Sequence, residues 1–184
     1  MLSKNRTLLV LEIIAVLTGV AYTVLYIKGF RYCFYFAFSS AAIYTYLCYQ
    51  KKIFAETALQ IFYVLFAIYG WLNWGADYQE KSYAFAYHLP FLFVSTAGVY
   101  GAGKWLKKHT ATKMPYLDAY TSIFSLTATW FMVNFAHENW LYWMAIDSVS
   151  IYLYYKRGLK LSTLLYAFYF YLAIAGYFKF DLFF

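Results

Sequence analysis

The chain has 184 residues, of which 64% are hydrophobic, 26% aromatic and only 12% charged, with a formal net charge of +7. A soluble domain carries roughly 25% charged residues and about half apolar ones, so this chain cannot cover itself with a water-facing surface, and a membrane protein is expected. The basic residues stand in small groups between long apolar runs, as juxtamembrane charges do, and not as a nucleic-acid footprint.

Charged residues punctuate the chain into seven stretches near the ~20 apolar residues that a membrane-crossing helix needs. The first, 7–27, is too long for a signal-peptide core and has no small-residue cleavage pattern after it, so it is read as a span. It carries Glu12 near its start. The second, 32–50, holds Cys33 and Cys48, which match no metal spacing and imply no disulfide framework. The third, 57–75, has Gln60 within it and closes on YGWLNW, with Trp71, Asn73 and Trp74. The fourth, 83–103, contains His88. The fifth, 117–136, opens beside Asp118 and places Trp130 and Asn134 four apart on one face. The sixth, 139–156, follows Glu138 in the segment ENWLYWMAID, and the seventh is 160–179. A soluble helical bundle would need charged faces at helical spacing, and the chain has almost none.

The Lys/Arg bias sets the orientation. With the N-terminus inside, Lys4, Arg6, Lys51, Lys52, Lys104, Lys107, Lys108, Lys113, Lys156, Arg157 and Lys160 lie inside, and Lys28, Arg31, Lys81 and Lys179 outside: eleven against four. The N-terminus is therefore expected in the cytoplasm and the C-terminus outside. The 77–82 loop and the 136–139 turn then face outward.

A shift of 106 residues lays the first three spans on the last three without a gap. Glu12 meets Asp118, Thr23 meets Thr129, Tyr46 and Leu47 meet Tyr152 and Leu153, and Gly70 meets Gly176. Three crossings reverse the side, so two parallel three-helix units need one helix between them. The expected fold is therefore an all-α integral membrane protein of seven transmembrane helices in a 3+1+3 parallel repeat. Its parts are residues 1–76, a linker helix with loops at 77–110, and 111–184. Such an architecture suits a transporter with its substrate near the midplane. Glu12 and Asp118, at matched positions, are expected near helix N-termini, where the dipole favours a carboxylate. Proton coupling through Glu12, Asp118 or Asp147 is the alternative.

In the sixth span Trp140, Trp143 and Asp147 line up at i, i+3 and i+7, and Asn139 neighbours Trp143 at i+4. A carboxylate inside the membrane must face a bundle interior or a wet cavity. Two rings beside an acid suit a flat cation, through stacking, cation–π attraction and charge pairing. The alternative is an interfacial aromatic belt with Asp147 paired locally, an alternative that weighs more for Trp71 and Trp74 at a span end. Gln60, Asn73, Asn134 and Asn139 supply uncharged donors and acceptors, and Trp130 is a further ring for the same cavity. His88, His109 and His137 share no ligand spacing, so no metal is expected. No phosphate loop, nucleophile elbow or HExxH pattern appears, so neither an enzyme nor a cofactor is expected.

YGWLNW, ENWLYW and IDSVSIYLYYKRGL, with LEIIAVLTG in the first span, resemble the PnuC family of vitamin transporters. The resemblance covers nearly the whole chain and is strongest over 115–177, where PYLD stands. It implies a SWEET-like fold, a bacterial cytoplasmic-membrane location, and facilitated uptake of a B-vitamin precursor that intracellular phosphorylation then traps. It implies a site midway between the repeats that uses Trp140 and Trp143. RYCFYFAFSSAAIY in the second span lacks the Trp and Pro usual in nicotinamide riboside carriers, and AFSSAAIYTYL and the later IDSVSIYLY are similar to the thiamine-carrying PnuT branch. Thiamine is therefore the expected substrate, with nicotinamide riboside the alternative. The partners are that small vitamin and the lipid bilayer, not nucleic acid; a monomer and a homo-oligomer both fit.

Overall fold

The computed structural model describes residues 2–50, 54–74, 80–110, 112–156 and 160–180, with side chains described from Arg6 in the first helix, from Thr57 in the third and from Thr163 in the seventh. The boundary expected at 76/77 and the one at 111, and the side chains of Lys4, Lys51, Lys52, Arg157 and Lys160 used for orientation, lie outside the described residues. Among the described residues there are seven helices: α1 (Leu2–Ile27), α2 (Cys33–Gln50), α3 (Phe54–Asn73), α4 (Phe85–His109), α5 (Pro115–Val133), α6 (Asn139–Lys156) and α7 (Lys160–Phe178). Each expected span has its helix. The largest shift is in α4, which runs to His109 because Lys107, Lys108 and His109 in its last turn face the negative end of the helix dipole.

Large apolar side chains cover the outside of these helices. Phe93 is 76% exposed, Leu72 71% and Leu164 69%, which water would penalise and lipid does not. Among the described residues only Arg6–Ile27 is long and apolar enough by itself to mark a crossing helix; Thr57–Asn73 and Thr163–Phe178 are shorter apolar helices. Elsewhere hydroxyls dilute the apolar pattern, and they are satisfied within the helix. Ser39, Thr45, Thr129 and Ser148 each donate to the carbonyl four residues back, which removes most of the cost of a hydroxyl in lipid.

The chain forms two compact units, Met1–Tyr78 and Gln79–Phe184. In the first, α2 packs on both α1 and α3. Ser40 donates to the Ala15 carbonyl at 2.8 Å, tying α2 to α1. The Phe34 ring of α2 lies over Gly70 of α3 so closely that a Cβ there would strike it, and Trp74 meets Phe34 and Tyr26 edge-on. In the second unit α4 packs on α5, α5 on α6 and α6 on α7. Ser95 and Thr127 share a 2.7 Å hydrogen bond between α4 and α5, and Gly103 leaves room for the Tyr116 ring. Phe124, Ala128 and Ile146 form a core against which Leu92, Val99, Tyr120, Tyr142 and Trp143 pack.

The two units repeat each other's local geometry at an offset of 106 residues. After α1, Gly29 has φ 73° and the Phe30 amide returns to the Leu25 carbonyl; after α5, Phe135 has φ 60° and the Ala136 amide returns to the Phe131 carbonyl. Both are left-handed helix terminations. In place of Phe34 over Gly70, the second unit has Trp140 over Gly176. In place of the Arg31 guanidinium 4.1 Å above the Trp71 ring it has the His137 ring 4.7 Å from that of Tyr177.

One expectation needs correction. Asp118 stands in the first turn of α5, where it accepts from Thr112 Oγ1 at 2.5 Å. Glu12, however, is not near a helix start, because α1 begins at Leu2. The polar residues ahead of the first apolar run continue the helix instead of ending it, so dipole stabilisation applies to Asp118 alone.

Candidate functional site

α6 carries the candidate site. Asn139, Trp143 and Asp147 follow at four-residue steps and so share one face. Asn139 is 1% exposed, and its amide nitrogen is committed to the Ala136 carbonyl at 2.6 Å, which fixes the side chain and leaves Oδ1 buried with no donor. One turn on, Trp143 packs against the Phe124, Ala128 and Ile146 core, and its Nε1–H is buried with no acceptor. One turn further, Asp147 is 3% exposed and forms no hydrogen bond or ion pair among the described residues. An acceptor, a donor and a carboxyl group thus stand in a row without partners. Buried polar groups are ordinarily paired, and each one left open costs stability; a row of three is what a polar ligand would complete.

The other expected residues are spread more widely. Trp140 is 3% exposed with its ring seated on Gly176 of α7, whereas Trp143 turns toward the core between α5 and α6. The two tryptophans therefore meet different neighbours. Trp130 lies exposed, and the Asn134 amide donates to its carbonyl at 2.8 Å. In the first unit Trp74 is buried, while Trp71 lies under Arg31 and against the Tyr35 ring at 4.4 Å. The Asn73 amide is spent on the Tyr69 carbonyl at 2.8 Å, and Gln60 is half-buried on α3.

A polar cluster at the start of α6 was not visible in the spacing, because its members come from segments some fifty residues apart. Lys81 and Ala136 pair as a short parallel bridge, which lays the segment before α4 beside the α5–α6 turn. Glu138 Oε1 accepts from Ser82 Oγ at 2.5 Å and from the Tyr83 amide at 3.0 Å. Burial pushes the Glu138 carboxyl up, but the hydrogen bonds from Ser82 and from backbone amides, with His88 nearby, outweigh it and hold the group below the ordinary carboxylate value. On α4, His88 Nδ1 lies 3.0 Å from the Tyr142 hydroxyl. Glu80 bonds to His137 at 2.8 Å and to Lys179 at 2.6 Å. ENWLYW did show the Glu138 carboxylate; its partners become legible only once α4 is known to pack beside α5 and α6.

The sequence pattern of the family described as "Nicotinamide mononucleotide transporter" matches residues 9–181. The chain belongs to this family. It is 26% identical over 161 residues to the nicotinamide riboside transporter PnuC of Neisseria mucosa, a match that covers 79% of this chain. The chain spans 61% of that relative's length. A crystal structure of the vitamin B3 transporter PnuC is similar to the fold with a TM-score of 0.72 at 26% identity, over 92% of this chain and 79% of that one. The all-α, seven-helix membrane fold and the resemblance to PnuC are thereby established for this family member. Both relatives are named as transporters and neither as an enzyme.

Proposed function

We propose that this family member carries a small cationic vitamin of the nicotinamide riboside type across the bacterial cytoplasmic membrane, by facilitated diffusion with alternating access. Phosphorylation inside the cell then keeps the product from returning. The observation that carries this reading is the α6 row of Asn139 Oδ1, Trp143 Nε1–H and a buried, unpartnered Asp147. A carboxamide supplies the complementary donor and acceptor, and a pyridinium supplies the charge that Asp147 lacks. A nucleotide phosphate would bring a second anion to that carboxylate, which disfavours the mononucleotide. The bond-for-bond match of the α1–α2 and α5–α6 junctions supports a 3+1+3 parallel repeat with parts 1–76, 77–110 and 111–184. The N-terminus is proposed to lie in the cytoplasm and the C-terminus outside.

The lean toward thiamine rests on two short stretches, AFSSAAIYTYL and IDSVSIYLY, whereas the family description and both relatives name nicotinamide compounds or vitamin B3. Nicotinamide riboside therefore leads. Titration of the purified full chain with nicotinamide riboside, nicotinamide mononucleotide and thiamine, read by tryptophan fluorescence, tests the choice. Saturable quenching by the riboside at the lowest concentration is expected. Tighter binding of thiamine would restore that vitamin as the substrate, and failure of all three would end this reading.

A further inference from the structure

Beside the α6 row, the second unit holds another pair of polar atoms that the vitamin reading does not use. His88 Nε2 and Glu138 Oε2 are both buried without a hydrogen-bond partner, and they face each other across 4.0 Å. That is too long for a hydrogen bond and short enough for a strong charge interaction. Their other atoms are engaged. Glu138 Oε1 holds Ser82 and the Tyr83 amide, and His88 Nδ1 meets the Tyr142 hydroxyl. The imidazole is also clamped by rings, with Phe131 of α5 at 4.7 Å and Tyr142 of α6 at 5.8 Å. The pair therefore has a fixed geometry and one unfilled place.

We propose that His88 and Glu138 form a proton-binding site that joins α4 to the start of α6. In the neutral state the hydrogen on Nε2 faces the Glu138 carboxylate, and the Tyr142 hydroxyl donates to Nδ1. The incoming proton, taken from water, binds at Nδ1; the Tyr142 hydroxyl turns to accept from it, and the imidazolium Nε2–H closes on Glu138 Oε2. Histidine is the side chain whose ordinary charge change falls between about pH 5 and 8, and Glu138 stays ionised through that window because its hydrogen bonds hold it low. The titratable groups around the imidazole are Glu138 from the turn, Tyr142 from α6, and Tyr87 from α4 itself, with Tyr83 beside Glu138; α5 presents only the Phe131 ring. The ion pair so formed ties α4 to the α5–α6 turn, whose Glu138 also holds Ser82 and the Tyr83 amide. The second histidine of this end, His137, is already bonded to Glu80 at 2.8 Å and its side chain is partly exposed, not buried as His88 is.

Acid-minus-base infrared difference spectra of the full chain in lipid test the site without any vitamin present. The wild type is expected to show an imidazole band together with changes in one tyrosine C–O band and one carboxylate band. His88→Gln is expected to lose all three at once, and His137→Gln to keep them. Tyr142→Phe, which removes only a hydroxyl, serves where the His88 variant does not fold: it must lose the tyrosine band and keep the imidazole band. Carboxylate and tyrosine bands that persist in His88→Gln, or that vanish in His137→Gln instead, overturn the proposal. In proteoliposomes at equal pH on both sides, uptake of nicotinamide riboside is expected to respond to pH in the wild type and in His137→Gln, and to lose that response in Glu138→Gln. An unchanged response in Glu138→Gln would likewise overturn it.

Discussion

At the scale of single residues, the α6 row makes demands that differ from one side chain to the next. Trp143→Phe keeps an aromatic ring against Phe124 and Ile146 but removes the open Nε1–H. One hydrogen bond to a ligand contributes about 1–1.5 kcal/mol, so affinity for nicotinamide riboside should fall roughly tenfold in a titration. Asp147→Asn should weaken the cationic riboside strongly while leaving uncharged nicotinamide nearly unaffected, since only the first needs the counter-charge. Equal losses for both ligands would show that Asp147 acts through packing. Glu138 makes a different, pH-linked prediction. Its carboxyl is held below the ordinary value of 4.5, so its contribution to stability is present above that value and is lost as pH falls through the lower folded one. The thermal midpoint of the wild type should therefore drop on acidification below about pH 4.5, and Glu138→Gln should flatten that drop. The i+4 spacing of Asn139, Trp143 and Asp147 was readable in the sequence, because helical periodicity alone fixes it. The seating of Trp140 against α7 was not, because it depends on Gly176 being small, and that glycine matters only once α7 is docked.

At the scale of elements, each unit is held by an aromatic ring lodged over a glycine. A methyl group at Gly70 would strike the Phe34 ring, and one at Gly176 the Trp140 ring. Over-packing of this kind costs about 1–3 kcal/mol. Gly70→Ala and Gly176→Ala should each lower the thermal midpoint, and Trp140→Val should recover part of the loss in the Gly176→Ala background. A simple sum of the two single effects would mean that ring and glycine do not interact. The turns after α1 and α5 predict an asymmetry. Gly29 adopts φ 73° at no steric cost, so Gly29→Ala should destabilise by about 1–2 kcal/mol. Phe135 already pays that strain at φ 60°, held there by a ring only 7% exposed. The helices themselves were legible, since charges mark their ends within a few residues. Which helix packs on which was not: apolar residues surround each helix, and a chain facing lipid shows no amphipathic stripe to read.

At the scale of the whole chain, the proposed orientation rests on where the cations lie along it, not on packing. Among the described lysines, Lys104, Lys107 and Lys108 stand at the end of α4, and Lys81 stands just before its start. A helix of 25 residues spans about 37 Å, more than the ~30 Å hydrocarbon core, so these two groups emerge on opposite faces of the membrane. The positive-inside bias is the basis for the proposal that the Lys107 end is cytoplasmic and the Lys81 end exterior. Single cysteines at Ser82 and at Lys107, in a chain with Cys33 and Cys48 replaced by alanine or serine, decide the matter, because both native cysteines are buried in α2. A membrane-impermeant thiol reagent applied to intact cells should label position 82 and spare position 107 until the membrane is opened. The reverse pattern would place the N-terminus outside and, with it, move the His88–Glu138 site to the cytoplasmic face. The same two cysteines, read in Lys104→Glu/Lys108→Glu double variants, should lose their single orientation if the α4 lysines are what hold the chain that way round.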